Sequence, residues 1–255
     1  MQILRLNKPY ISVENSFGGN QEWFEKTGRP WKGKAIKGYG CGLIGASDVI
    51  LHILGNVPFE VFESDKQDRA DEITTNLKKT DYIDFISNME RKYFHIFPKL
   101  GLSGILLALG MNLYFLVHRK EIKNLTGRKF RARWAVWPSK ILDRIREMLT
   151  EDIPVIISIG PGFFRKDKVR LYVDTSAKTG KDKDIDKEKR FKAVTSTKDH
   201  YVTVTGILES KEDDITLLEI SSWGKKYYIR YDEYMEFVKK CDNFYFSNIL
   251  YIKAI

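Results

Sequence analysis

Cysteine is scarce in this chain of 255 residues, which carries only Cys41 and Cys241. A secreted protein of this size would more often hold a set of disulfides, so the pair points to a reducing compartment. The stretch Met1–Ile11 lacks the positive-then-apolar pattern of an export signal, and a cytoplasmic location is expected. Long apolar runs are missing too, since crossing a bilayer takes roughly 20 residues. The nearest candidate, LSGILLALGMNLYFLV over 102–117, is shorter and carries Gly104, Gly110 and Asn112. It reads as a buried core helix of a soluble protein without membrane contact. No phosphate-binding Gly-Lys-Ser/Thr loop, His-Glu-x-x-His or paired Cys-x-x-Cys occurs, so no metal or organic cofactor is implied. Internal repeats are absent as well.

What is present is ordinary globular material, 43% hydrophobic and 13% aromatic, enough to bury a full core. The net charge of +9 comes from 43 Lys+Arg against 34 Asp+Glu, much of it in loops, and reads as a solvated basic surface. KKYYIRY (225–231) interleaves basic and aromatic residues as nucleic-acid surfaces do. Strand alternation alone produces that pattern, so no nucleic-acid partner is expected.

Helical signals come first. Residues 1–37 form an irregular lead-in punctuated by Gly18, Gly19, Gly28, Pro30 and Gly33. From Cys41, apolar residues at Leu43, Ala46, Ile50 and Ile53 recur at helical spacing. Residues 64–97 give two further helices, the apolar 102–117 run a third, and PSKILDRIREMLT (138–150) a fourth; 118–133 is a basic connection. Strand signals follow at 155–160, 169–173, 200–208, 215–221, 226–231 and 248–254, rich in β-branched and aromatic residues. The densely charged stretch 174–198 is expected to be a mobile loop or hairpin tip. Helices followed by strands predict one α+β domain over 1–255, with a helical lobe at about 38–150 and an antiparallel sheet lobe at about 151–255.

Two residues stand out chemically. Cys41 sits between Gly40 and Gly42 at the start of its helix, where free amides and the helix dipole favour a thiolate and can stabilise an oxyanion. An accessible thiol of low pKa is expected there and an ordinary one at Cys241. His200 opens a strand, at whose entrance it can reach a cleft; His52 lies too far along the Cys41 helix to meet the thiol. Asp48, on that same helix, is expected to face solvent or cap a neighbour.

Downstream stands LEISSWGKKYYI (218–229). A Cys-Gly at a helix start, a His opening an apolar strand and a Ser-Ser-Trp-Gly resemble the papain-like cysteine peptidases, whose third motif is Asn-Ser-Trp-Gly. The chain is also similar to the bacterial proteins grouped with double-glycine leader peptidases. The local resemblance covers about 40 residues in three blocks, in the same order. It implies a papain-like fold, Cys41 as nucleophile, His200 as base, and Trp223 shielding the imidazole's hydrogen bond. It places Ser221 where relatives carry the orienting Asn. A hydroxyl stabilises an imidazolium less well than an amide or carboxylate, so Glu219, on the same strand face, is the alternative. Papain-like enzymes set an oxyanion Gln shortly before the Cys; Ala35 stands at that spacing, leaving Gln21 either to fill the role or to belong to a turn anchored by Trp23 and Phe24.

The reading that results is a thiol hydrolase, a peptidase or amidase, acting on a peptide or amide through an acyl-enzyme. An acyltransferase and an idle binding protein of the same fold stay open.

Overall fold

A computed structural model describes residues 1–24, 30–55, 76–97, 99–160, 166–176, 190–210, 213–240 and 244–255. Helices and a mainly antiparallel sheet mix in it, the α+β class expected. Helices α1 (Pro30–Tyr39), α2 (Cys41–Ile53), α3 (Lys79–Lys92), α4 (Gly104–Val117), α5 (Arg119–Thr126), α6 (Ile141–Thr150) and α7 (Tyr231–Lys240) accompany strands β1 (Gln2–Arg5), β2 (Ser12–Val13), β3 (Asn76–Leu77) and β4 (Phe130–Trp134). The remaining strands are β5 (Val155–Ile159), β6 (Val169–Asp174), β7 (Phe191–Thr197), β8 (His200–Ser210), β9 (Ile215–Ser222), β10 (Lys225–Arg230) and β11 (Ile249–Ala254).

Nine of these strands join one sheet, eight of them in the order β4-β11-β5-β8-β9-β10-β6-β7 and the ninth, β1, beside β8. β8 is its spine. The first half of β8 pairs with β5, from His200↔Ile159 to Val204↔Val155, and its second half pairs on the same side with β1. Only residues 198–199 separate β7, at the end of the sheet, from β8 in its middle. In a flat sheet four strand spacings would part them by about 19 Å. Three Cα steps span at most about 11 Å. The sheet therefore curls back on itself, which brings the 198–199 turn to the mouth of the site described below.

The division into lobes is less clean than expected. β1 and β4 belong to the sheet, and α7 interrupts the strand half. One hydrophobic cluster joins Leu43, Val49 and Ile50 of α2 to Ile156, Val204 and Ile220 of the sheet. Within the charged stretch 174–198, residues 191–197 form β7, paired along β6 from Asp174↔Phe191 to Val169↔Thr197. Residues 177–189 lie outside the described residues, as do Cys241 and the first part of 64–97.

α4 departs from the expected core helix. Leu107, Met111, Tyr114 and Phe115 are buried, but Ile105, Leu109, Leu113 and Leu116 are exposed. The helix lies along the sheet's edge, where only one of its faces can be covered. Its Asn112 explains the polar residue in the apolar run: Nδ2 donates to the Ala132 carbonyl (2.9 Å) and Oδ1 accepts from the Ala132 N–H (2.8 Å). Those bonds occupy backbone groups of edge strand β4 that would otherwise be open to another chain.

Gly104 lets α4 sit this close, since a Cβ there would lie 2.0 Å from the Trp134 ring. Gly104→Ala is expected to destabilise by about 1–3 kcal/mol through overpacking. Gly38→Ala, exposed on α1 with nothing near its Cβ, is expected to be neutral or to stabilise by up to about 1 kcal/mol. Thermal melts of the two variants should therefore move apart, and a fall shared equally by both would show that Trp134 does not confine Gly104.

Candidate active site

A single glycine separates α1 from α2, and the corner is sterically exclusive: a Cβ on Gly40 would meet the Ile36 carbonyl oxygen at 2.4 Å. Cys41 is thus the first residue of α2. Leading amides of a helix have no acceptor within it. Those of Cys41 and Gly42, with the N–H of Tyr201 from β8, approach the thiol and favour its charged form. The close approach of α2 to β8 depends on two more glycines. A Cβ on Gly42 would touch Tyr201 at 3.1 Å, and one on Gly45 would touch Thr203 at 3.2 Å.

Cys41 is half-buried, but its thiol is turned into the packing, and desolvation is the largest influence that pushes it up from its ordinary range, with the Asp199 carboxylate adding to this. The three amide donors pull the other way and do not prevail. A thiol of low pKa was expected from the helix start, so the direction is corrected: desolvation outweighs the amides and the dipole. His200 is buried and its pKa falls to about 4 for the same reason. At neutral pH both groups are uncharged.

One cleft of about 300 Å³, partly open to solvent, is lined by Gln21, Cys41, Asp48, His200, Ser222 and Trp223, with Ser221 and Tyr201 also on its wall. The structure therefore brings together Cys41, His200, Gln21 and Ser221 of the residues singled out in the sequence, but not in the roles expected. The His200 Nε2 lies 2.8 Å from the Ser222 hydroxyl oxygen. Ser221 instead donates its hydroxyl to the Phe17 carbonyl at 2.7 Å. The register explains the exchange. Ser221 pairs across with Thr203, so it shares Thr203's face, while His200 and Ser222 belong to the other parity. Glu219 is spoken for elsewhere. It binds Arg5 at 2.8 Å and accepts from Thr205 and Tyr228, a buried junction that ties β1 to the sheet.

Trp223 covers the imidazole, with ring centroids 4.4 Å apart and planes within 12°. It does so from a two-residue hairpin turn between β9 and β10, where Trp223 and Gly224 both have positive φ (50° and 69°). A tryptophan in the left-handed region is uncommon, and strain of this sort gathers at functional sites. The Trp-Gly pair in the sequence is the signal for it.

The other wall is the segment 16–24. Gln21 opens a short 3-10 turn, Gln21–Phe24, whose Phe24 is fully buried while Trp23 meets Tyr82 edge-on at 5.8 Å. The turn with its Trp23 and Phe24 anchors is present, and Gln21 lines the same cleft as Cys41. Backbone bonds from Phe17 N–H to Gly224 O (2.9 Å) and from Gly224 N–H to Gly19 O (3.0 Å) stitch the segment to the Trp223 turn. From below, Asp48 accepts from Gly19 N–H (2.9 Å), Tyr82 OH (2.6 Å) and Tyr10 OH (3.2 Å). Asp48 is buried, not solvent-facing as expected. Sequence alone missed it because its partners come from three distant segments. Desolvation raises its pKa to about 7 against the pull of those donors.

Among the described residues no cluster of His, Cys, Asp and Glu could hold a metal ion. No protein-family model matches the chain, and no curated protein or solved structure matches it either.

The two displaced pKa values act on stability in opposite directions. Asp48 is protonated in the folded state where the unfolded chain is ionised, so its contribution is full below about pH 4 and is lost as pH rises through about 7. His200 is neutral in the folded state where the unfolded chain is charged, so its contribution is full above about 6.5 and is lost as pH falls towards about 4. Each spans on the order of 3–4 kcal/mol, and in the native protein they largely cancel. Asp48→Asn is expected to leave stability rising from pH 4 to 6.5, and His200→Gln to leave it falling over the same window. Denaturant titrations at a series of pH values read this directly; parallel profiles for the two variants would contradict the assignment.

Proposed function

We propose that the chain is a thiol hydrolase of papain-like type, cleaving a peptide or amide through an acyl-enzyme. The observation that carries this reading is the convergence, on one cleft, of a helix-start cysteine and a buried histidine whose Nε2 is held by Ser222 under the Trp223 ring. The same residues that resemble the papain-like motifs in sequence line it.

With Nε2 engaged by Ser222, Nδ1 is the nitrogen left to handle protons. In the first step the Cys41 sulfur bonds to the substrate carbonyl carbon and the thiol proton passes to His200. The oxyanion that forms is stabilised by amide donors at the α2 start and by the Gln21 side chain. His200 then gives its proton to the departing amine as the C–N bond breaks. Water attacks the thioester with His200 again as base, the acid leaves, and the thiol is restored. Because both groups rest neutral, proton transfer accompanies attack and is not complete before it. Ser222 holds the imidazole in one plane, and in the tautomer this step requires, Nε2–H donates to its hydroxyl oxygen. It replaces the motif's Asn one position later than the sequence comparison placed it.

A resting neutral pair would equally suit an idle binding protein of this fold, and covalent labelling separates the two. A peptide vinyl sulfone is expected to label Cys41, found by mass spectrometry, and to lose the label in His200→Ala. Ser222→Ala is expected to slow labelling about tenfold and Ser222→Asn to retain it. Ser221→Asn is expected to act through stability instead, because a Cβ on Gly18 would already lie 2.3 Å from the Ser221 hydroxyl and a larger side chain must displace that segment. An unlabelled Cys41 in the folded native protein would sink the enzyme reading. Labelling that ignores Ser222 but collapses in a folded Ser221→Ala would return the orienting role to Ser221.

A further inference from the structure

From its exposed helix face and the charges beside it, we infer that α4 seats the protein on an anionic lipid surface. At 100° per residue, Ile105, Leu116, Leu109, Leu113, Leu106 and Val117 fill one continuous arc of about 120° on this helix. All six are exposed, Leu109 to 57% and Leu116 to 66%. No charged residue occurs anywhere in α4, so nothing polar interrupts the arc. The opposite side, with Leu107, Met111, Tyr114 and Phe115, is buried against the fold, so the helix is held in place with the apolar arc turned outward. Proteins that stay monomeric in water seldom leave such a face uncovered.

Charge decides what covers it. Of the chain's net +9, the segment 99–134 alone supplies eight basic residues against one acid, Glu121. None of the eight makes an ion pair with any described residue. Arg131 and Arg133 alternate on β4 with Phe130, Ala132 and Trp134, the side packed on α4, and so face away from it. Lys99 before the helix, Arg119, Lys120 and Lys123 on α5, and Arg128 and Lys129 just beyond flank it along the chain. A second copy of the chain would set these like charges against each other. An anionic bilayer neutralises them while the apolar arc enters the headgroup–acyl boundary, the usual balance for a helix lying in the plane of a membrane. Among the described residues no helix is long and apolar enough to cross a bilayer. The 14 residues of α4 extend about 21 Å, so the contact is one of lying on the surface and not of spanning it. This departs from the absence of membrane contact expected from the sequence.

The test is co-sedimentation of the full chain with vesicles of equimolar phosphatidylcholine and phosphatidylglycerol, against vesicles of phosphatidylcholine alone. Wild type is expected to bind the anionic vesicles at least tenfold more strongly than the neutral ones. Leu109→Asp with Leu116→Asp, and separately Arg119→Glu with Lys123→Glu, should each reduce that binding at least tenfold. Because all four positions are exposed, both variants should keep the wild-type thermal melt and Cys41 labelling. Absence of wild-type binding, or binding that survives both variants, overturns the inference. So does sedimentation of the wild type as a dimer that Leu109→Asp dissociates, which would make a second copy the occupant.

Discussion

The packing of α2 on β8 is the constraint from which the rest of the site follows. Gly42 and Gly45 let the helix lie against Tyr201 and Thr203, and Gly40 lets it begin abruptly after α1. That combination sets the thiol of Cys41 at the start of the very strand that begins with His200. The register of β9 against β8 then delivers Ser222 to the imidazole, and the tight turn after Ser222 lays Trp223 over it. Asp48, two turns along the same helix face, holds the Gly18–Gln21 side of the cleft through Gly19. One helix thus positions both walls.

The electrostatics follow from the depth of this packing. Desolvation holds the thiol above its ordinary range and the imidazole down at about 4, so the proton rests on sulfur and the imidazole stays neutral. The neutral pair is the resting state. The donors around the thiol therefore act on charge that develops during attack, and a preformed thiolate is not their product.

Much of this was legible in the sequence, and where it was not the reason is specific. Cys41 and His200 were visible because glycine spacing and a polar residue opening an apolar strand are local signals. The six strands seen from composition are all present. β4 and β7 were missed because alternating Arg, Lys and Thr disguised them as connections. The exposed face of α4 was invisible because an apolar run does not disclose how many sides of it find a partner. Ser222 was displaced to Ser221 because a one-residue shift of register exchanges the two faces of a strand, and no local signal fixes register. Glu219 looked available until Arg5, some two hundred residues away, was seen to hold it. Asp48 was expected to face solvent or cap a neighbour, and only with Tyr10, Gly19 and Tyr82 assembled around it did it emerge as a buried acceptor for a distant segment.

The pairing of Cys41 with a neutral His200 is the centre of the functional reading, and the pH dependence of Cys41 alkylation by iodoacetamide examines it most directly. The labelled residue is located by mass spectrometry in the native protein and in His200→Ala. A pair that rests neutral gives a single limb rising with pH, with its midpoint at or above that of a free thiol near 8.5 and no plateau of reactivity at lower pH. A plateau reaching below pH 6 and abolished in His200→Ala would mean a preformed thiolate–imidazolium pair and would contradict it.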